Sequence, residues 1–73
     1  MTTRHESIDP LRLAELLEVL RAEGCTYASI FVDGPELVID GCAPSYEAKR
    51  KVEQLVIGLA GCPVRNSIRV YPD

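Results

Sequence analysis

Hydrophobic positions recur at helical spacing in the first third of the chain. They form one apolar stripe made of Leu13, Leu16, Leu17 and Leu20. Asp9 can act as N-cap by accepting a hydrogen bond, and Pro10 suits the first helical position because no N–H is needed there. The pattern predicts a helix from about Pro10 to Glu23, with Gly24 as the residue that ends it.

After this helix the pattern changes to strict alternation. Ile30 and Val32 share one face of a first strand. Leu37 and Ile39 share one face of a second strand. The segment "VDGPE" between them carries a turn signal, so the sequence predicts a hairpin of two short strands between Thr26 and Cys42.

A second helical stripe follows the hairpin, and Ser45 is its natural N-cap. The inward side of this predicted helix consists of Ala48, Val52, Leu55, Val56 and Leu59. We expect the helix to run to Leu59 or Ala60 and to end at Gly61. The last segment alternates again and predicts one closing strand, with an inward side made of Val64, Asn66, Ile68 and Val70.

The predicted element order is α-β-β-α-β, an α+β fold. The simplest packing is a two-layer sandwich in which both helices lie on one face of a three-stranded mixed sheet. The second helix then forms a right-handed crossover between strands two and three. We expect residues 1–8 to be a flexible N-terminus and residues 9–72 to form a single domain, since 73 residues suffice for one small core.

Composition narrows the functional classes. The net charge of −3 argues against binding nucleic acid or anionic lipid through bulk electrostatics, which requires clustered Lys and Arg. The N-terminal segment has no apolar region typical of a signal peptide, and no apolar run approaches the roughly 20 residues that span a bilayer. We therefore expect a soluble, cytoplasmic chain.

The three cysteines, Cys25, Cys42 and Cys62, are widely spaced. A disulfide framework favours an even number and a zinc site favours C-x-x-C pairs, so buried free thiols are the expected state. The alternative is a zinc site formed by all three cysteines and His5. We expect no metal and no cofactor.

The segment "VIGLAG" has the G-x-x-G spacing with which KH domains clamp nucleic-acid backbones. Leu59 and Ala60 stand where such a loop commonly carries polar or basic residues. Pro63 also favours an extended chain after Gly61 rather than a second helix. The sequence therefore favours a helix end before a strand over a phosphate clamp.

An ordered set of positions runs through most of the chain. It begins with the apolar alternation of Leu37 and Ile39 that leads to Gly41 and then to the helix-opening Ser45. It continues through the apolar repeats of residues 48–59 to Gly61 and the strand pattern V-x-N-x-I-x-V, which comprises Val64, Asn66, Ile68 and Val70. This set resembles the BON domain family of bacterial osmotically induced and nodulation proteins.

The resemblance implies an α-β-β-α-β binding module that engages phospholipid surfaces or other proteins, with members that are often periplasmic or envelope-associated. It implies no catalytic residues. The residues themselves agree, because His5 has no nucleophile beside it in the pattern and the acids near the hairpin are explained by turn chemistry and solubility. We expect structural roles for Gly24, Gly41, Ser45, Gly61 and Asn66.

Two surfaces are candidates for binding. The first is the basic run Lys49, Arg50 and Lys51, which could meet phosphate groups but has Glu47 and Glu53 nearby. The second is the side of the sheet opposite the helices, to which alternation assigns Tyr27, Phe31, Val38, Arg69 and Tyr71. We expect a non-catalytic module that binds a protein, a second copy or a membrane surface. The alternative is a small single-stranded nucleic-acid binder that uses the same sheet side; no small-molecule substrate is indicated.

Overall fold

The computed structural model describes residues 9–70. Its elements are α1 (Pro10–Ala22), β1 (Thr26–Asp33), β2 (Glu36–Ala43), α2 (Tyr46–Ala60), β3 (Val64–Asn66) and β4 (Arg69–Val70). The predicted α+β fold and the order α-β-β-α-β are confirmed, with the closing strand divided into two pieces. The expected flexible N-terminus, residues 1–8, lies outside the described residues, as do His5 and Tyr71.

Helix α1 begins as the sequence predicts, with Pro10 at its first position and Asp9 at the N-cap. The predicted capping bond is wrong, because the Asp9 side chain accepts no hydrogen bond from the helix. The C-terminus is closed by two backbone bonds, from the Gly24 N–H to the Arg21 carbonyl at 2.9 Å and from the Cys25 N–H to the Leu20 carbonyl at 3.0 Å. This pair of bonds is a Schellman motif, and it turns the chain into β1.

Strands β1 and β2 form the predicted hairpin, joined by the two-residue turn Gly34–Pro35. Their pairing is antiparallel, with Phe31 opposite Val38 and Asp33 opposite Glu36. Strand β2 is the centre of the sheet. It pairs with β1 on one side and, in parallel, with both β3 and β4 on the other.

Helix α2 connects β2 to the parallel strand β3. Its N-cap is Ser45, whose hydroxyl accepts a hydrogen bond from the Ala48 N–H at 3.1 Å. Its C-cap is Gly61, which has a φ of +69° and donates its N–H to the Ile57 carbonyl at 3.0 Å. Left-handed backbone is accessible to glycine at little cost, and this cap turns the chain toward β3.

The prediction of one continuous closing strand is wrong, because the strand is interrupted between Asn66 and Arg69. The Ile68 N–H bonds to a local side-chain acceptor, the Oδ1 of Asn66, at 3.0 Å. The Ser67 N–H still bonds to the Ile39 carbonyl at 2.8 Å, so contact with β2 continues past Asn66. Ile68 still points inward, with 1% of its surface exposed.

The core lies between the two helices and one side of the sheet. Its largest fully buried side chains are Leu16, Leu20, Ile39, Val52, Val56 and Ile68. Two members of the predicted inward stripe of α2 are misplaced, because Leu55 and Leu59 are 41% and 40% exposed. Leu55 precedes the buried Val56 and Leu59 precedes the half-buried Ala60, and one residue corresponds to about 100° of rotation around the helix. The side of α2 that faces the core is therefore narrower than its apolar stripe.

Candidate functional site: the open face of the sheet

The side of the sheet opposite the helices is the open face, since no other element among residues 9–70 packs on it. Residues directly opposite each other on paired strands point to the same side. The register aligns Phe31 with Val38 and Arg65, and it aligns Cys42 with Arg69. Following the alternation from these pairs, the open face is formed by Thr26, Ser29, Phe31, Asp33, Glu36, Val38, Asp40, Cys42, Arg65 and Arg69.

The half of the open face near the hairpin turn is closed by one side chain. Arg65 reaches from β3 across the central strand and bonds to the carboxylates of Asp33 on β1, at 2.6 Å, and Glu36 on β2, at 3.0 Å. The hydrogen bond to Asp33, followed by the charge of Glu36, raises the pKa of the Arg65 guanidinium. Val38 lies in the central strand between Phe31 and Arg65 and is only 2% exposed.

The other half of the open face contains a shallow depression of about 310 Å³. It is lined by Tyr27, Asp40, Gly41, Cys42 and Arg69. Asp40 accepts the Gly41 N–H through Oδ1 at 2.8 Å. Arg69 forms no ion pair with any residue from 9 to 70, so the depression contains a cation and a carboxylate that are not matched to each other.

A β-bulge shapes this depression. Tyr27 and Ala28 of β1 together oppose Gly41 of β2, because Thr26 pairs with Cys42 and Ser29 pairs with Asp40. Gly41 has a φ of +140°, and a Cβ there would lie 2.8 Å from the Thr26 carbonyl oxygen. Only glycine allows the two backbones to approach this closely.

The bulge presents Tyr27 to solvent. Its φ is +55°, a left-handed conformation that is rare for a bulky residue, and 88% of its surface is exposed. Phe31, four residues along β1, is 50% exposed. The structure therefore places two aromatic side chains on or beside the open face, with Tyr27 next to Arg69 and Phe31 next to Val38.

The predicted basic run does not join this site. Lys49, Arg50 and Lys51 lie on α2, in the helix layer. Lys51 pairs with Glu23 at 3.6 Å, and Lys49 is half-buried. The run therefore offers only Arg50 as an exposed cation without an ion pair among the described residues.

The cysteines lie in different environments. Cys25 is buried in the core, and burial, reinforced by the charges of Glu23 and Cys42, raises the pKa of its thiol. Cys42 and Cys62 are half-buried and free. Within residues 9–70 no cluster of three or more His, Cys, Asp or Glu side chains is arranged to hold a metal ion.

Alternation within single strands placed Tyr27, Phe31, Val38 and Arg69 on this side, but the sequence analysis assigned to it none of the three acids of the open face, nor Cys42 or Arg65. Asp40 and Cys42 were assigned to turn chemistry and to buried thiols, and Arg65 was not assigned a role. The signal that identifies them is parity, because Arg65 alternates in step with Arg69, and Asp40 and Cys42 alternate in step with Val38.

Comparison of the chain with family models, with curated proteins and with solved structures found no match. No helix within residues 9–70 is long and apolar enough to cross a membrane.

Proposed function

We propose that the chain is a non-catalytic, BON-like interaction module that docks its open face on a protein partner. The observation that carries the proposal is the exposure of two aromatic side chains, Tyr27 at 88% and Phe31 at 50%, on a sheet side that no described element covers. Exposed aromatics next to an arginine are the residues that most often supply binding energy in protein interfaces.

The charges of the open face favour a protein over a polyanion. Three carboxylates, Asp33, Glu36 and Asp40, share this face with Arg65 and Arg69. Two of those carboxylates already neutralise Arg65. Phosphate-rich partners require an excess of unneutralised cations, so single-stranded nucleic acid and anionic lipid fit this face less well than a protein surface does.

The same charges indicate the chemistry of the partner. An apolar area around Phe31 would contact apolar side chains, and Arg69 would contact a carboxylate. Two of the three acids that a hydrolytic site would use, Asp33 and Glu36, are bound to Arg65, whereas Asp40 accepts the Gly41 N–H through one oxygen and keeps its charge unpaired among residues 9–70. This engagement supports a binding role over catalysis.

Site-specific photocrosslinking in living cells tests the proposal. A photoreactive phenylalanine analogue replaces Phe31 in one variant and the exposed Gln54 of α2 in a matched control. We expect a discrete protein adduct from position 31 and none from position 54, and the partner identified by mass spectrometry should bind purified Phe31→Asp at least about tenfold more weakly. Absence of an adduct at position 31 contradicts the proposal, as does tight binding of anionic vesicles or single-stranded RNA by the purified protein.

A further inference from the structure

We propose that the partner of the open face is a second copy of this chain, related by a two-fold axis that brings Arg69 of each copy onto Asp40 of the other. The inference rests on the proposed function, because it names the protein that the open face binds. It is carried by the distribution of charge on that face.

The two halves of the open face differ in how their charges are satisfied. Near the hairpin turn, Arg65 is bonded to Asp33 and Glu36 within the chain. In the bulge half, Arg69 lies in register with Cys42, two residues along β2 from Asp40, and the two charged side chains do not form an ion pair. This half therefore presents one cation and one carboxylate side by side, and neither forms an ion pair within residues 9–70.

Such an arrangement is self-complementary. In a two-fold dimer, if residue i of one copy contacts residue j of the other, then j of the first contacts i of the second. One Arg69 and one Asp40 per copy therefore form two reciprocal ion pairs across the interface and leave neither charge unmatched. A heterologous partner would have to supply the same pair of opposite charges at the same offset.

Tyr27 supplies apolar area at the same place. The bulge holds its backbone at a φ of +55°, a strained conformation of the kind that clusters at functional sites. Tyr27 lines the depression together with Asp40 and Arg69. In the dimer the ring covers the ion pairs and removes them from solvent, which strengthens them.

Charge exchange between the two positions tests the inference by sedimentation equilibrium. We expect the wild type to be a dimer. In Asp40→Arg and in Arg69→Asp, like charges face each other at both contacts. Each contact should raise the dimer dissociation constant about tenfold or more, so each variant should dimerise about 100-fold more weakly. An equimolar mixture of the two variants should restore a dimer that contains one chain of each. The double variant Asp40→Arg with Arg69→Asp should dimerise by itself.

A control variant separates this effect from a change in net charge. Arg21→Glu on α1 alters the charge by the same amount as Arg69→Asp, and it should leave the dimer unchanged. Circular dichroism verifies that each variant is folded. The rescued mixture keeps the test valid even if one variant is less stable, because only complementary charges at positions 40 and 69 predict that each variant dimerises with the other more tightly than with itself.

Two results would overturn the inference. One is a wild-type protein that is monomeric up to about 1 mM. A dissociation constant of that size corresponds to a dimerisation free energy of only about 4 kcal/mol. The other is a dimer that neither single variant weakens. If the wild type is monomeric while position 31 crosslinks to a different protein, the second copy is rejected and the proposed function stands; if position 31 yields no adduct, the proposed function itself is rejected.

Discussion

The side-chain amide of Asn66 donates a hydrogen bond to the backbone carbonyl of Lys49 at 3.0 Å, joining β3 to helix α2. The same amide nitrogen lies 3.2 Å from the Oε1 of Glu53. The amide oxygen accepts the Ile68 N–H at 3.0 Å. One side chain therefore ties the sheet to the helix layer, and both its donor and its acceptor groups are used.

Removing this side chain should destabilise the fold. We expect Asn66→Ala to lower the free energy of unfolding by about 1–3 kcal/mol, because part-buried backbone groups lose their partners. Asn66→Asp should be worse, since the introduced carboxylate faces the Lys49 carbonyl and the Glu53 carboxylate. Urea titration measures both, with Gln54→Ala as an exposed control that changes stability by less than about 0.5 kcal/mol. An Asn66→Asp variant as stable as the wild type would show that these bonds do not hold the layers together.

Two glycines should respond to alanine in opposite directions. At Gly41 the added Cβ meets the Thr26 carbonyl oxygen at 2.8 Å and the backbone must keep a φ of +140°, so Gly41→Ala should cost more than about 1 kcal/mol. At Gly58, in the interior of α2, the added Cβ meets nothing within 4 Å. Gly58→Ala should therefore stabilise the protein by about 0.5–1 kcal/mol. Thermal unfolding followed by circular dichroism gives both values, and equal effects at the two positions would rule out a strained bulge.

The two helix N-caps should also differ. Ser45 makes its capping bond to the Ala48 N–H, so Ser45→Ala should cost about 1 kcal/mol. Asp9 makes none, and Asp9→Ala should cost about 0.3 kcal/mol, from the lost carboxylate charge at the helix N-terminus. The two variants are compared by urea unfolding at the same pH. An Asp9→Ala variant that loses as much as Ser45→Ala would mean that Asp9 caps α1 in solution.

The element order was predictable because it depends on local chemistry. Helix ends were indicated by Pro10, Ser45 and Gly61, and strand faces by strict alternation. The interruption after Asn66 was not predictable from alternation, because the inward residues Asn66, Ile68 and Val70 continue the pattern without a break. Periodicity predicts the direction of a side chain, but it does not predict the acceptor to which a backbone N–H bonds.

Only those features of the open face that depend on a single strand were predictable from the sequence. Tyr27, Phe31 and Arg69 were assigned from parity within single strands. The bond from Arg65 to Asp33 joins residues 32 positions apart in the chain and depends on the register of three strands. Register is fixed by packing and by the bulge at Gly41, so the near-complete burial of Val38 on an otherwise open side could not be read from its neighbours in sequence.

The buried thiol of Cys25 should make the stability of the fold depend on pH. Its pKa is raised in the folded protein, so the folded state favours the neutral thiol. Stability from this group is fully present below the ordinary thiol pKa of about 8.5 and decreases as pH rises from there toward the folded-state pKa. Urea unfolding at pH 7 and at pH 10 should therefore show a smaller loss of stability with pH for Cys25→Ala than for the wild type. Iodoacetamide at pH 8 should modify Cys42 and Cys62 before Cys25 in the folded protein, and all three at similar rates in denaturant. Equal labelling of the three cysteines in the folded protein, or identical pH slopes for wild type and variant, would contradict a buried, neutral Cys25.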